Sequence, residues 1–361
     1  MKYVIEKGQN SPAYIQLYKQ VREDIVNKIY PYNSKLPSKR IIADETGVST
    51  VTVEHAYALL SEEGYIESRE RSGYFVIFRT EDGFVSSKSV NIPSPHIHLA
   101  KSSPEFPFSV LAKTMRWVIS NYGESIFERC HNSGSEELRD AICRYLARSK
   151  GISANVNQII IGSGSEYLYS LIVELLGRDK IYAIEAPSYK KIEQVYRSCD
   201  VKYEMLPLGN DGIESSFLKS TDADVLHISP YRSFPSGVTA SASKRHEYVR
   251  WASIKERYIV EDDFESEFSL SKKAEETLFS LTDSDNVIYM NTFSKTVSAS
   301  LRVGYMVLPK HLVSAFEEKL GFYSCTVPTF EQLVLAQLIN GGDFERHINR
   351  VRRKKRKENT V

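Results

Sequence analysis

From Ala13 to Tyr30 the apolar side chains Ile15, Tyr18, Val21, Ile25 and Ile29 recur at the three-and-four spacing that turns one face of a helix toward a core. Pro31 then breaks the run. Ser38 can cap a second helix reaching Glu45, and Gly47 supplies a turn. Ser49 can cap a third helix to about Glu63, with Val53, Tyr57 and Leu60 on one face. After Gly64 come two short apolar and aromatic runs, Tyr65 to Glu67 and Tyr74 to Phe78, joined by the charged, glycine-containing stretch Ser68 to Gly73. This pattern predicts a hairpin. Residues 1–79 therefore read as three helices followed by a wing.

Residues 80–107 are rich in Ser and Pro, hold no sustained period and read as a linker. From 108 to 361 the pattern changes to continuous apolar runs between helical segments: Gln158 to Ile161, Lys180 to Ile184, Val225 to Ile228, Tyr258 to Val260, Val287 to Met290 and Tyr305 to Leu308. Such runs predict an α/β unit whose sheet is mostly parallel and buried on both faces. No internal repeat is visible.

Composition narrows this picture only a little. A chain of 361 residues, 42% hydrophobic and 26% charged, has room for two or three folded units and excludes wholesale disorder. A formal net charge of +1 supplies no global attraction to nucleic acid, so any such contact must come from a local patch. Cys130, Cys143, Cys199 and Cys325 lack the close spacing of metal or redox sites and read as free thiols of a reducing compartment; no metal site is expected. The N-terminus MKYVIEKGQN lacks a signal-peptide core, and no run approaches the roughly 18 apolar residues of a membrane span. A soluble, cytoplasmic protein is expected.

Two constellations carry chemistry. In the first, Ser38 and Arg40 open the second helix, where backbone N–H groups and a guanidinium can hold a DNA phosphate. Ser49, Thr50 and Thr52 occupy the first turn of the third helix, the part that enters the major groove in helix-turn-helix proteins, and Arg69, Arg71 and Gly73 can approach the backbone or minor groove from the hairpin. The strings Leu36-Pro37-Ser38-Lys39-Arg40, Gly47-Val48-Ser49, Thr52-Val53, Ala56-Tyr57, Glu63-Gly64-Tyr65-Ile66 and Ser72-Gly73 resemble the GntR-family winged helix, which implies binding to operator DNA. Thr50 stands where the family often carries Arg, and Arg71 where Gly is usual, so a different operator is expected.

In the second constellation, Asn291-Thr292-Phe293-Ser294-Lys295 precedes Leu301-Arg302-Val303-Gly304-Tyr305. A lysine just after a buried strand, flanked by hydroxyl residues and followed by an arginine, can form a Schiff base with an aldehyde while its neighbours hold a phosphate. Here the chain resembles fold-type I aminotransferases, and specifically the MocR-type regulators that fuse such a body to a GntR winged helix. That resemblance implies pyridoxal 5'-phosphate as cofactor, with Lys295 as its aldimine lysine and Thr292, Ser294 and Arg302 on its phosphate. Gly164 and Ser165, in Gly162-Ser163-Gly164-Ser165-Glu166, would add backbone N–H groups. Asp262, chosen over Asp263 because it shares a strand face with Phe264, would hold the ring nitrogen. Tyr189 would stack on the ring, and Lys191 lies where related regulators can hold a ligand carboxylate.

Several residues depart from the family pattern. Phe264 replaces a tyrosine that would reach the cofactor, and Glu166 stands where a glutamine is usual, an anion that would repel phosphate unless its side chain turns away. After Arg350 the sequence stops in a basic run from Arg352 to Lys357, where the family continues into a C-terminal subdomain that contributes a carboxylate-binding arginine. Whether the sequence was cut short or is naturally short stays open. The expectation is a homodimeric transcription regulator that binds operator DNA and responds to pyridoxal phosphate, or to an amine or amino acid that condenses with it. The alternative is a working aminotransferase with a DNA-binding appendage.

Overall fold

A computed structural model describes residues 3–6, 11–79, 106–254, 257–269, 276–281 and 285–358 of the chain. Most of the stretch read as a linker, 80–105, lies outside the described residues. The chain forms two compact units, residues 1–98 and 99–361.

In the first unit, α1 (Ala13–Val26), α2 (Lys39–Thr46) and α3 (Thr50–Glu62) precede the antiparallel hairpin of β1 (Ile66–Arg69) and β2 (Gly73–Val76). Ser38 and Ser49 cap their helices, each accepting a backbone N–H three residues on, and Gly47 ends α2 at a φ of 67°. Leu17, Val21, Ile25, Val53, Tyr57 and Leu60 form one core with Ile66 and Val76. Two expectations need correction. The first helix ends at Val26, four residues short of Tyr30, which leaves Ile29 55% exposed. The paired strands also run further into the loop than predicted, so that Ser68 and Arg69 pair with Tyr74 and Gly73.

The second unit is built on a sheet of eight strands among the described residues: β3 (Ile159–Gly162), β4 (Ile181–Ala186), β5 (Lys202–Gly209), β6 (Gly212–Ile213), β7 (Val225–Ile228), β8 (Tyr258–Asp262), β9 (Val287–Thr292) and β10 (Gly304–Val307). Their spatial order is β3-β10-β9-β8-β7-β4-β5-β6. From β5 through β4, β7 and β8 to β9 every pair is parallel. Only β10, between β3 and β9, and the short β6 run against their neighbours. Strands β3, β7, β9 and β10 are buried along their length, as continuous apolar runs require when both faces are covered.

Helices α4 (Phe108–Tyr122), α5 (Glu136–Lys150), α6 (Ser165–Leu176) and α7 (Lys190–Ser198) help to cover those faces. Helices α4 and α5 share one core with the helix Thr329–Asn340, and α6 and α7 share another with the other side of the sheet. Topology then fixes one edge. Because β10 opposes both of its neighbours, β3 and β9 run the same way. The ends of β3, β4, β7, β8 and β9 and the start of β10 therefore lie along a single edge, where open α/β sheets place ligands.

Candidate functional site

Along that edge opens a cavity of about 280 Å³ lined by residues from each of those strand ends. Ser165 and Glu166 begin α6 after β3, Glu185 is the last residue but one of β4, and Ser188 and Tyr189 lead into α7. Asp262 closes β8 and Thr292 closes β9, followed by Ser294 and Lys295. Arg302 stands just before β10, with its backbone at a φ of 47°, a left-handed conformation rarely adopted by a bulky residue and common near functional sites. Chain positions more than a hundred residues apart thus meet because the sheet aligns their strand ends.

At the inner end of the cavity Asp262 is buried. Its Oδ2 accepts a 2.5 Å hydrogen bond from the Tyr169 hydroxyl, and His227 Nε2 lies 3.8 Å from the same oxygen. Burial pushes the Tyr169 phenol well above its ordinary range, so it stays a donor. Behind it, Tyr196 and His227 share a 2.6 Å hydrogen bond between hydroxyl and Nδ1. The other oxygen, Asp262 Oδ1, is buried and has no hydrogen-bond partner among the described residues. Buried polar atoms are nearly always paired, so an orphan acceptor on a residue that lines a cavity is a place for a ligand's N–H. Asp263 turns to the opposite side, where it accepts from Lys150 Nζ at 2.8 Å and from the Tyr289 hydroxyl at 2.7 Å.

Tyr189 walls the cavity and meets Phe234 edge to face at 6.0 Å. Phe264 lines the cavity beside Asp262, and the Lys295 ammonium lies 5.4 Å from its ring centroid. The hydroxyl that a tyrosine would present there is absent from Phe264. Glu185 accepts from Ser233 Oγ at 2.5 Å and from the Ser229 N–H at 3.3 Å. Burial pushes its carboxyl up to about 8, more than these donors pull it down.

The outer end is arranged differently. Glu166, in the first turn of α6, does not turn away from the cavity. Its Oε2 accepts from Arg302 Nη2 at 2.5 Å and its Oε1 from Lys191 Nζ at 2.5 Å. Partial burial pushes this carboxyl up, but Lys191, a backbone N–H and Arg302 outweigh burial and hold it at about 2. Gly164, which caps α6 at a φ of 97°, packs against the same arginine: a Cβ there would meet Arg302 Nη2 at 2.9 Å. Gly164 itself is not among the lining residues, and Lys191 is engaged with Glu166 beside the Tyr189 ring.

In the first unit the residues singled out for DNA sort by what already holds them. Ser49 accepts from the Thr52 N–H at 3.1 Å and its hydroxyl meets that of Thr52 at 2.8 Å, so both serve the start of α3, where Thr50 is exposed. Arg69 is tied to Glu67 at 2.6 Å and Asn33 at 2.8 Å and lies over the Phe75 ring. Arg40 and Arg71 are exposed, Arg71 at the hairpin tip with a φ of 56°. Sequence reasoning passed over Lys35, which bridges β2 opposite Phe75 and sits 3.2 Å from where a Gly73 Cβ would stand. In the body it passed over Tyr169, Glu185 and His227. Only Tyr169 left a signal, four residues after Ser165 and so on the same helix face.

Among the described residues no helix is long and apolar enough to cross a membrane, and no group of three His, Cys, Asp or Glu could hold a metal ion.

Comparison with known proteins finds two family models in this chain. Bacterial regulatory proteins of the gntR family match residues 13–76, and aminotransferase class I and II matches residues 102–360. The uncharacterized HTH-type transcriptional regulator YdeL of Bacillus subtilis is 31% identical over 97% of this chain and 78% of that protein. "Probable rhizopine catabolism regulatory protein MocR" of Rhizobium meliloti is 27% identical over 97% of this chain and 76% of that protein. The pyridoxine biosynthesis regulator PdxR of Corynebacterium glutamicum is 24% identical over 94% and 75%. Among solved structures, the kynurenine aminotransferase of Pyrococcus horikoshii superposes with a TM-score of 0.63 at 26% identity, covering 69% of this chain and 64% of that one.

Proposed function

Because this chain belongs to the gntR family of regulatory proteins by its first unit and to the class I and II aminotransferases by its second, the pairing of MocR-type regulators, we propose that its cavity binds pyridoxal phosphate as a sensor. Membership makes it a DNA-binding transcription regulator with an aminotransferase-like body. When bound, the cofactor supplies an aldehyde that an amine can condense with and a ring that accepts electrons.

The residues fit that group. Lys295 brings an amine to the cavity, Tyr189 flanks it, and Ser165, Thr292, Ser294 and Arg302 are the donors for a phosphate. The observation that carries the reading is Asp262 Oδ1, a buried acceptor that a protonated ring nitrogen would satisfy. Tyr169 holds the other oxygen and so fixes the direction of the first.

Signalling requires that loading, or reaction with a small amine or amino acid, change the affinity for operator DNA between two arrangements of the protein. A cytoplasmic, head-to-tail homodimer belongs to this reading. Catalytic turnover is the weaker alternative: Lys191, the sequence candidate for a substrate carboxylate, is already paired with Glu166.

Purified protein given pyridoxal phosphate is expected to develop a visible absorbance band that Lys295→Ala lacks, and its retention of DNA from upstream of its own gene is expected to change on loading. A folded parent protein without that band would overturn the cofactor reading.

A further inference from the structure

Arg302, Ser165, Thr292, Ser294 and the start of α6 together make the anion-holding end of the cavity, and an anion is already there. Glu166 sits in the first turn of α6, where the helix dipole favours negative charge. Both of its oxygens are committed, one to Arg302 and one to Lys191, each at 2.5 Å. A phosphoryl group entering this end meets an arginine in use and a carboxylate beside it, and like charges brought together oppose binding.

We propose that Glu166 is a resident anion that competes with a ligand's phosphoryl group for Arg302, and that Lys191 draws Glu166 aside when the phosphoryl group takes the arginine. Glu166 thereby sets how weakly, and how reversibly, a phosphorylated ligand is held. The inference rests on the pyridoxal phosphate reading for its ligand, but the competition itself concerns only the phosphoryl group. Lys191 acts here as a positioning residue, since its reach to the ligand's phosphate is through Glu166.

The test uses the full chain and its Glu166→Gln, Lys191→Ala and doubly substituted forms, titrated separately with pyridoxal phosphate and with pyridoxal, which lacks the phosphate. Visible absorbance gives the affinities. Glu166→Gln is expected to tighten pyridoxal phosphate by about tenfold and leave pyridoxal unchanged. Lys191→Ala is expected to weaken pyridoxal phosphate by about threefold, and to lose that effect in the Glu166→Gln background, the non-additivity of two residues acting through one contact. Glu166→Ala carries the same expectation and serves if Glu166→Gln is unstable.

A Glu166→Gln protein that binds pyridoxal phosphate no better than the parent, or gains equally for pyridoxal, overturns the proposal and leaves the cofactor reading standing. A Lys191→Ala loss that persists in the Glu166→Gln background overturns the part given to Lys191. If no aldehyde gives a band in any form, the cofactor reading fails instead. Inorganic phosphate, followed by thermal shift, then decides on Glu166 alone: stronger stabilisation of Glu166→Gln than of the parent supports the resident anion, and equal stabilisation rejects it.

Discussion

At the inner end of the cavity Asp262 keeps a buried oxygen without a donor, whereas at the outer end Glu166 has both oxygens bonded and Arg302 and Lys191 are about half exposed. The inner end is buried and held by Tyr169, so its free acceptor persists at a cost to the unliganded fold. The outer end is self-satisfied and open to water, where ion pairs contribute little to stability and exchange partners readily. On the proposed reading, a site with both features is preformed for the ring of a ligand and competitive toward its phosphate. Asp263, one residue from Asp262, shows the contrast on a single strand: it is paired with Lys150, both side chains being 5–6% exposed.

Breaking that neighbouring pair has the largest expected effect. Asp263→Ala leaves Lys150 buried without its carboxylate, and such a loss typically costs about 3–5 kcal/mol. Chemical denaturation of the ligand-free protein would read it. Burial alone would push Asp263 up, but Lys150 holds it below the ordinary aspartate range, so its contribution is present at neutral pH and is lost as pH falls through that lowered value. If Asp263→Ala unfolds no more easily than the parent, the division of labour between the two aspartates is wrong.

Asp262→Asn comes next and acts in the other direction. A bond from a ring nitrogen to a charged acceptor is worth about 1.5–3 kcal/mol, so cofactor affinity is expected to fall roughly 10- to 100-fold. Without ligand the substitution removes a charge with an unpaired oxygen and is expected to leave stability near that of the parent. A large loss of stability with unchanged affinity would make Asp262 a structural residue like its neighbour.

How much of this was legible along the chain depends on whether the signal was local. The buried strands β3, β4 and β7 to β10 announce themselves as apolar runs, and Lys295, Arg302, Asp262 and Tyr189 sit in motifs. Strand β5 does not: Lys202-Tyr203-Glu204-Met205-Leu206-Pro207 mixes charge with a proline, which only a strand near the edge of the sheet tolerates. The early end of α1 was equally hidden. Ile29 N–H returns to Asp24 and Lys28 N–H to Ile25, a Schellman ending with Lys28 in the left-handed position where glycine would have flagged it. Glu166 was visible as an unexpected anion, but its partners come from β10's approach and from α7, so its direction became clear only when three distant segments met.

The most gradual effect, spread over several pH units, concerns Glu185, near the end of β4 beside the cavity. Its carboxyl is raised to about 8 by burial, against an ordinary value of 4.5, so the folded body holds a proton that the unfolded chain has released. Stability from this group is therefore complete below the ordinary carboxylate range and falls as pH rises to about 8, by up to about 1.4 kcal/mol per unit. Glu261, buried in β8 and also raised to about 8, adds a second loss over the same range, and burial raises Glu267 as well. Glu185→Gln should consequently flatten the decline in stability between pH 5 and 8 without abolishing it, as measured by thermal unfolding across that range. An unchanged slope would mean that Glu185 is ionised in the folded protein and brings a negative charge to the inner end of the cavity.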